Sequence, residues 1–374
     1  MRIVVAADSF KGTLSAFQAC HAIAAGLREA LPDADIIAVP MADGGEGTVD
    51  AVVTALAGEL RITDVCDPLQ RSVSARYGLV DTGKTAVIEM AEAAGLLRVA
   101  AHERDIMRAT TFGVGQLIRH ALEQGARRLL VAIGGSATND GGCGMAQALG
   151  YRFLDATGRP LLDGIGGGDL PSIERIATDR VIAQLADATV EVLCDVANPL
   201  TGPNGAAYVY ARQKGASDNQ IEKLDESLAH LARIIERDLG LSVNDIPGAG
   251  AAGGLGAGLV AFAGAALVSG GERIIELVRL AEHGHGADAI ITGEGRLDEQ
   301  SLNGKVVSAV AALGKQLDIP VYAIAGRVEL SAERWQHLLI DVAAVQSSDD
   351  APIEAATALS ARSAAAADAW FGHQ

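Results

Sequence analysis

Asp8-Ser9-Phe10-Lys11-Gly12-Thr13 places a carboxylate, a hydroxyl and an ammonium within a few positions, closed by a glycine. Loops of similar make-up recur. Asp43-Gly44-Gly45-Glu46-Gly47-Thr48 is one; Gly293-Glu294-Gly295-Arg296-Leu297-Asp298, extending to Gly304-Lys305, is another; Gly326-Arg327 is a shorter one. Glycine lets backbone N–H groups approach a ligand closely, while Asp, Lys and Arg supply handles for metal, phosphate and carboxylate. Gly134 to Gly142 (G-G-S-A-T-N-D-G-G) suggests a phosphate or carboxylate cradle ahead of a helix. Cys194-Asp195-Val196-Ala197-Asn198-Pro199 sets a carboxylate after an apolar run, and Gly248 to Gly254 is a further glycine-rich loop. Taken singly, each has a plainer account: an Asp after a strand caps a helix or forms a turn, and a lone lysine is a surface charge. Their number favours binding of small anions by an α/β protein, and the residues alone go no further.

The elements that must carry these loops read as alternating strands and helices. Ile3 to Ala7 is a β-branched apolar run, expected as a buried parallel strand. A helical pattern from Ser15 to about Ala30 ends at Pro32, and Ile36 to Val39 is the next strand. Arg61 to Val65, Ser72 to Val80 and Thr85 to Met90 read as an antiparallel meander. Arg128 to Ile133 and Val190 to Cys194 are strand-like, and Asp218 to Leu239 is a long helix. Ala289 to Thr292, Val321 to Ala325 and Val342 to Val345 return to the opening rhythm. The fold expected is α/β: a doubly wound, Rossmann-like parallel-sheet domain (1–65 and 285–374) with a second α/β mixed-sheet domain (66–284) inserted. Ligands of such sheets bind beyond the carboxyl ends of the strands, where the loops above lie.

Composition limits the partners. A formal charge of −17 repels nucleic acid and anionic membranes, so neither is expected. An anionic substrate would then need a locally basic site. The four cysteines form no CxxC pair and are expected as free, buried thiols in a reducing cytosol. The opening M-R-I-V-V-A-A-D is too short an apolar run for a signal peptide. Gly248 to Gly271 lacks charge but is mostly Gly and Ala, which reads as a loop entering a buried helix rather than a membrane span.

Three patterns invite other readings. Gly78 to Thr85 matches G-x-x-x-x-G-K-T, yet Asp81-Thr82-Gly83-Lys84 separates two strand-like runs and is expected as a hairpin turn. Gly248-x-Gly250-x-x-Gly253 lacks the preceding strand of a dinucleotide fingerprint. His283-x-His285 is too isolated for a metal site.

The runs V-V-A-A-D-S-F-K-G-T-L-S-A, P-M-A-D-G-G-E-G-T, I-G-G-S-A-T-N-D-G-G, C-D-V-A-N-P-L, P-G-A-G-A-A-G-G and I-T-G-E-G-R-L-D-E-Q-S-L-N-G-K, in that order, resemble the motifs of class I bacterial glycerate kinases. The resemblance implies a two-domain enzyme with its active site in the interdomain cleft, phosphorylating D-glycerate on the 2-hydroxyl with ATP and Mg²⁺. It implies a cytoplasmic role in glyoxylate, glucarate or galactarate breakdown, and it leaves a homo-oligomer open. On this reading Asp195 is the candidate base for the hydroxyl, and Lys11 acts on the transferring phosphoryl or the substrate carboxylate. Arg296 takes the carboxylate, and Asp8, Ser9 and Gly44 help to bind substrate. Asp43 and Asp298 hold either Mg²⁺ or glycerate hydroxyls; Gly135, Ser136, Asn139 and Lys305 contact phosphate. Two alternatives stand beside it: a P-loop NTPase using Lys84, and a non-catalytic small-anion-binding module.

Overall fold

The computed structural model describes residues 1–302, 305–345 and 352–372, and side chains of the last helix from residue 355 onward. Asn303 and Gly304 of the last motif above lie outside the described residues. Five parallel strands form one sheet, in the spatial order Asp341–Ala344, Val321–Val328, Ala289–Leu297, Arg2–Ala7, Asp35–Ala38. Counted along the chain within this sheet, the order is 2-1-3-4-5, a doubly wound arrangement whose switch point lies between the first and third strands. Ile3 to Ala7 are wholly buried, as a parallel strand covered on both faces requires. Ile3, Val5, Ala7, Ile291 and Ile324 share a core with the helix Ala16–Ala30 and the C-terminal helix Pro352–Phe371. Ser15 caps the first of these helices in a capping box with Gln18, which fixes where the chain turns back toward the sheet. The helix Val306–Leu317 packs on the strand Ala289–Leu297.

A second sheet has six strands in the order Ala266–Val268, Thr189–Leu193, Arg128–Ala132, Thr85–Glu89, Ser72–Val80, Glu59–Cys66. The first four are parallel and the last two join antiparallel, so the sheet is mixed. The helix Ala251–Ala263 is buried along nearly its whole length in this core. Its small residues allow that, and no helix among the described residues is long and apolar enough to cross a membrane. Asp218–Leu239 is helical, ending at the left-handed Gly240.

The chain divides into two compact units: Met1–Asp43, Asp50–Ala57 and Ser269–Gln374 form one, Gly44–Val49 and Gly58–Val268 the other. These divisions differ from the expected boundaries near residues 65 and 285. The strand Glu59–Cys66 is hydrogen-bonded to Ser72–Val80 and so goes with the mixed sheet. The helices Gly270–Leu277 and Leu280–Gly284 pack on Val306–Leu317 and so go with the parallel one.

Asp81–Gly83 is a single turn between two antiparallel strands, with Lys84 exposed just after it. A phosphate loop needs a helix at that lysine, so the NTPase alternative has no structural footing here. Gly248 to Gly250 follow a turn rather than a strand. The four cysteines are free, but only Cys20 and Cys143 are buried; Cys66 and Cys194 are half-buried, against the expectation that all would be enclosed.

Candidate active site

In the parallel-sheet unit the switch point gathers carboxylates. The register pair Ala7↔Gly293 closes the contact between the first and third strands, and the Asp8 N–H donates to Gly293 O at 2.8 Å. Asp8 and Glu294 therefore begin side by side. The Met41 N–H donates to Ala7 O at 3.0 Å, which brings Asp43 to the same strand end. Lys305 Nζ lies 3.9 Å from Asp43 Oδ2.

Burial pushes the Asp8 carboxyl up to about 8, and the neighbouring charges of Asp43 and Glu294 add to this. The Ser9 N–H, 2.6 Å from Asp8 Oδ1, and Lys305 pull the other way. Glu294 is pushed up to about 7, again by burial first, with Asp298 and Asp43 adding to it against Ser301 and Lys305. Its Oε1 is buried without a hydrogen-bond partner. This cluster is acidic where a locally basic site was expected for an anion, with Lys305 the cation that lowers both Asp8 and Glu294. Glu294 was not among the residues singled out from sequence. The signal was its place between two glycines directly after the apolar run, where the strand in fact continues to Leu297.

The other predicted residues of this unit border that cluster rather than lie within it. Lys11 is exposed, held at the tip of a tight turn in which Phe10 and Leu14 exchange backbone hydrogen bonds and bury their side chains. Arg296 is 60% exposed and pairs with Asp298 at 3.1 Å and Glu329 at 3.9 Å. The Asp298 carboxylate also accepts the Gln300 N–H at 2.9 Å, as a turn-capping Asp would.

In the mixed-sheet unit, loops again meet at the carboxyl ends of parallel strands. Gly44 has φ +89°, and a side chain there would bring its Cβ within 2.7 Å of Leu193 Cβ, so only glycine serves. Its carbonyl accepts from Gly134 N–H at 3.4 Å. Gly135, also left-handed at φ +73°, is exposed, and a Cβ on it would lie 3.4 Å from Glu46 Oε1. Ser136 is half-buried. Asn139 differs from the expected cradle residue: it is fully buried, and neither of its amide atoms has a hydrogen-bond partner. The neighbouring Asp140 accepts from Thr111 N, Thr111 Oγ1 and Gly142 N, which ties the loop into the core. Buried Lys214 donates to Thr138 O at 2.7 Å, and burial lowers its ammonium to about 7.

Asp195 follows the strand Thr189–Leu193 and is half-buried, with Oδ2 enclosed. The Cys194 N–H donates to Val268 O at 2.9 Å, extending the sheet to its doorstep. Beyond it, Asn198 accepts from Tyr210 Oη at 2.6 Å and donates to Asn204 O at 2.8 Å. The backbone around Asp195 is therefore held from both sides, as a group acting on a reacting atom needs.

In each unit, glycine loops or carboxylates gather beyond the ends of parallel strands, where α/β enzymes take small-molecule ligands. The profile described as "Glycerate kinase family" matches residues 3–369, and the chain belongs to that family. It is 49% identical over 324 residues to a protein of Halalkalibacterium halodurans named glycerate kinase, covering 87% of this chain and 85% of that one. It is also 49% identical over 326 residues to the glycerate 2-kinase of Escherichia coli K12, with coverage of 87% and 85%. A crystal structure from Salmonella typhimurium LT2, of a protein assigned as glycerate kinase 2, superposes with a TM-score of 0.88 at 42% identity. That match covers 100% of this chain and 99% of the other.

Proposed function

We propose that this protein transfers the γ-phosphoryl group of ATP to the 2-hydroxyl of D-glycerate, giving ADP and 2-phosphoglycerate, in breakdown of glyoxylate- or sugar-acid-type carbon. The 49% identity to a protein named glycerate 2-kinase carries the choice of substrate. The convergence of Asp8, Asp43 and Glu294 at the switch point supports it from geometry, since such crevices are where doubly wound sheets take their ligands.

Phosphoryl transfer asks a protein mainly to position groups and neutralise charge. Asp195, rigidly placed, accepts the proton of the attacking hydroxyl; such a base contributes about 10²–10⁴-fold. Lys11 and Lys305 offset the charge of the phosphoryl or carboxylate groups, and the exposed Gly135 with Ser136 offers hydrogen bonds to phosphate oxygens. Asp8, raised to about 8, can donate a hydrogen bond to a substrate oxygen near neutrality without adding negative charge, while Glu294, raised to about 7, divides between its two forms there. Mg²⁺ wants hard oxygen ligands and keeps several waters, so one or two carboxylates with nucleotide phosphates suffice. Asp43 and Asp298 would be the carboxylates to hold it, though no group of three candidate ligands is assembled among the described residues. When bound, the ion would neutralise charge on the transferring group.

The test is ADP release by the purified protein with ATP and Mg²⁺, with and without D-glycerate. Release that depends on glycerate is expected. Glycerate-independent hydrolysis would instead indicate an ATPase, and no turnover would indicate a binding module.

A further inference from the structure

The mixed-sheet unit contains a cavity of about 390 Å³ at the carboxyl end of the strand Thr85–Glu89, and none of the roles above uses it. The volume lies within the range of about 300–1,000 Å³ typical of small-molecule sites. Its lining includes Glu46, Arg76, Glu89, Glu92, Leu97 and Arg98. Glu92 holds both arginines: Arg76 Nη2 lies 2.9 Å from one carboxylate oxygen and Arg98 Nη2 2.7 Å from the other. Two guanidinium planes are thereby fixed at the wall. Leu97 stands at the rim with 82% of its surface exposed, an apolar side chain that gains by being covered.

The charges narrow the occupant. Three carboxylates against two guanidiniums leave the cavity without the positive excess that a phosphate or a small carboxylate would need. A flat, uncharged, hydrogen-bonding group suits it better. Guanidinium planes stack on aromatic faces, which matters in a chain only 3% aromatic. The direction of the next group is also marked. Glu46 borders both the cavity and Gly135, and the Leu96 N–H donates to Gly135 O at 2.8 Å beside the Gly95–Ser136 bridge.

We propose that this cavity receives the nucleoside of a purine nucleotide, with the base between Leu97 and the Arg76–Arg98 pair. The ribose diol is then bound by Glu46, and the phosphates run toward Gly135 and Ser136. The assignment rests on the kinase reading for the nucleotide's role, and names where that nucleotide sits.

Calorimetric titration with ADP, and separately with adenosine, tests it on the full-length protein. Leu97→Asp, an exposed position that folding tolerates, and Arg98→Ala should each weaken both ligands by about tenfold or more, a loss of stacking and cover. In steady-state kinetics the KM for ATP should rise in step while the KM for D-glycerate stays within about twofold. Glu46→Gln should erase the wild-type preference for ATP over 2′-deoxy-ATP, since the carboxylate then no longer reads the diol. Unchanged ADP and adenosine affinity in both Leu97→Asp and Arg98→Ala, with glycerate-dependent turnover intact, would overturn the assignment and leave the kinase reading standing. Weakened ADP binding in these variants, without any glycerate-dependent turnover in the wild type, would uphold the pocket and sink the kinase reading.

Discussion

Asp8 and Glu294 emerge side by side from adjacent parallel strands, each one residue past the register pair Ala7↔Gly293. Burial raises both carboxyls, to about 8 and about 7, and the charge of Asp43 adds to each. The folded state therefore holds these protons more tightly than the unfolded chain does. Their contribution to stability is full below about pH 4 and is lost as pH rises toward 8. Asp8→Asn removes the larger part of that loss. Thermal unfolding should show the variant melting at least about 2 °C above wild type at pH 8, with little difference at pH 4. Activity of the same variant should fall. A variant no more stable at pH 8 would mean that Asp8 is not held protonated.

Asp195 tests the general-base role. Asp195→Asn keeps the shape of the side chain and removes its ability to accept a proton. The expected outcome is a fall in kcat of at least about 10², with the KM for glycerate changed little. A change confined to KM would reduce Asp195 to a substrate contact.

Lys11 and Lys84 separate the kinase reading from the phosphate-loop one. Both side chains are exposed, but Lys11 sits on the loop that follows the first parallel strand, and Lys84 follows a hairpin turn. Lys11→Ala should lower kcat/KM by about 10- to 100-fold, the loss of one charge-assisted contact to phosphate or carboxylate. Lys84→Ala should alter it by less than about threefold, as for other exposed surface positions. A dead Lys84→Ala beside a healthy Lys11→Ala would reverse the assignment.

Much of the architecture was readable because parallel strands buried on both faces leave long apolar runs, as Ile3 to Ala7 and Arg128 to Ile133 show. The long helix at Asp218–Leu239 carries its own capping and 3.6-residue pattern. The site was legible as loops but not as chemistry. Asp8 and Asp43 look like turn formers until the strand register sets them beside Glu294, and that register joins positions almost three hundred residues apart. Asn139 reads as a loop residue, yet the packing of Gly253 against Thr138 O draws its segment into the core. Arg296 looks like a lone carboxylate receptor until Asp298, two residues on, is found paired with it. The cavity beside Arg76 and Arg98 had no sequence signature, since its walls come from three separate segments.

The central claim is transfer of a phosphoryl group from ATP to the 2-hydroxyl of D-glycerate, and phosphorus NMR of the reaction mixture at early time tests it most directly. The account predicts the resonance of 2-phosphoglycerate growing in step with ADP, and only when D-glycerate is present. A mixture showing 3-phosphoglycerate alone, or inorganic phosphate in place of any phosphoglycerate, would contradict it.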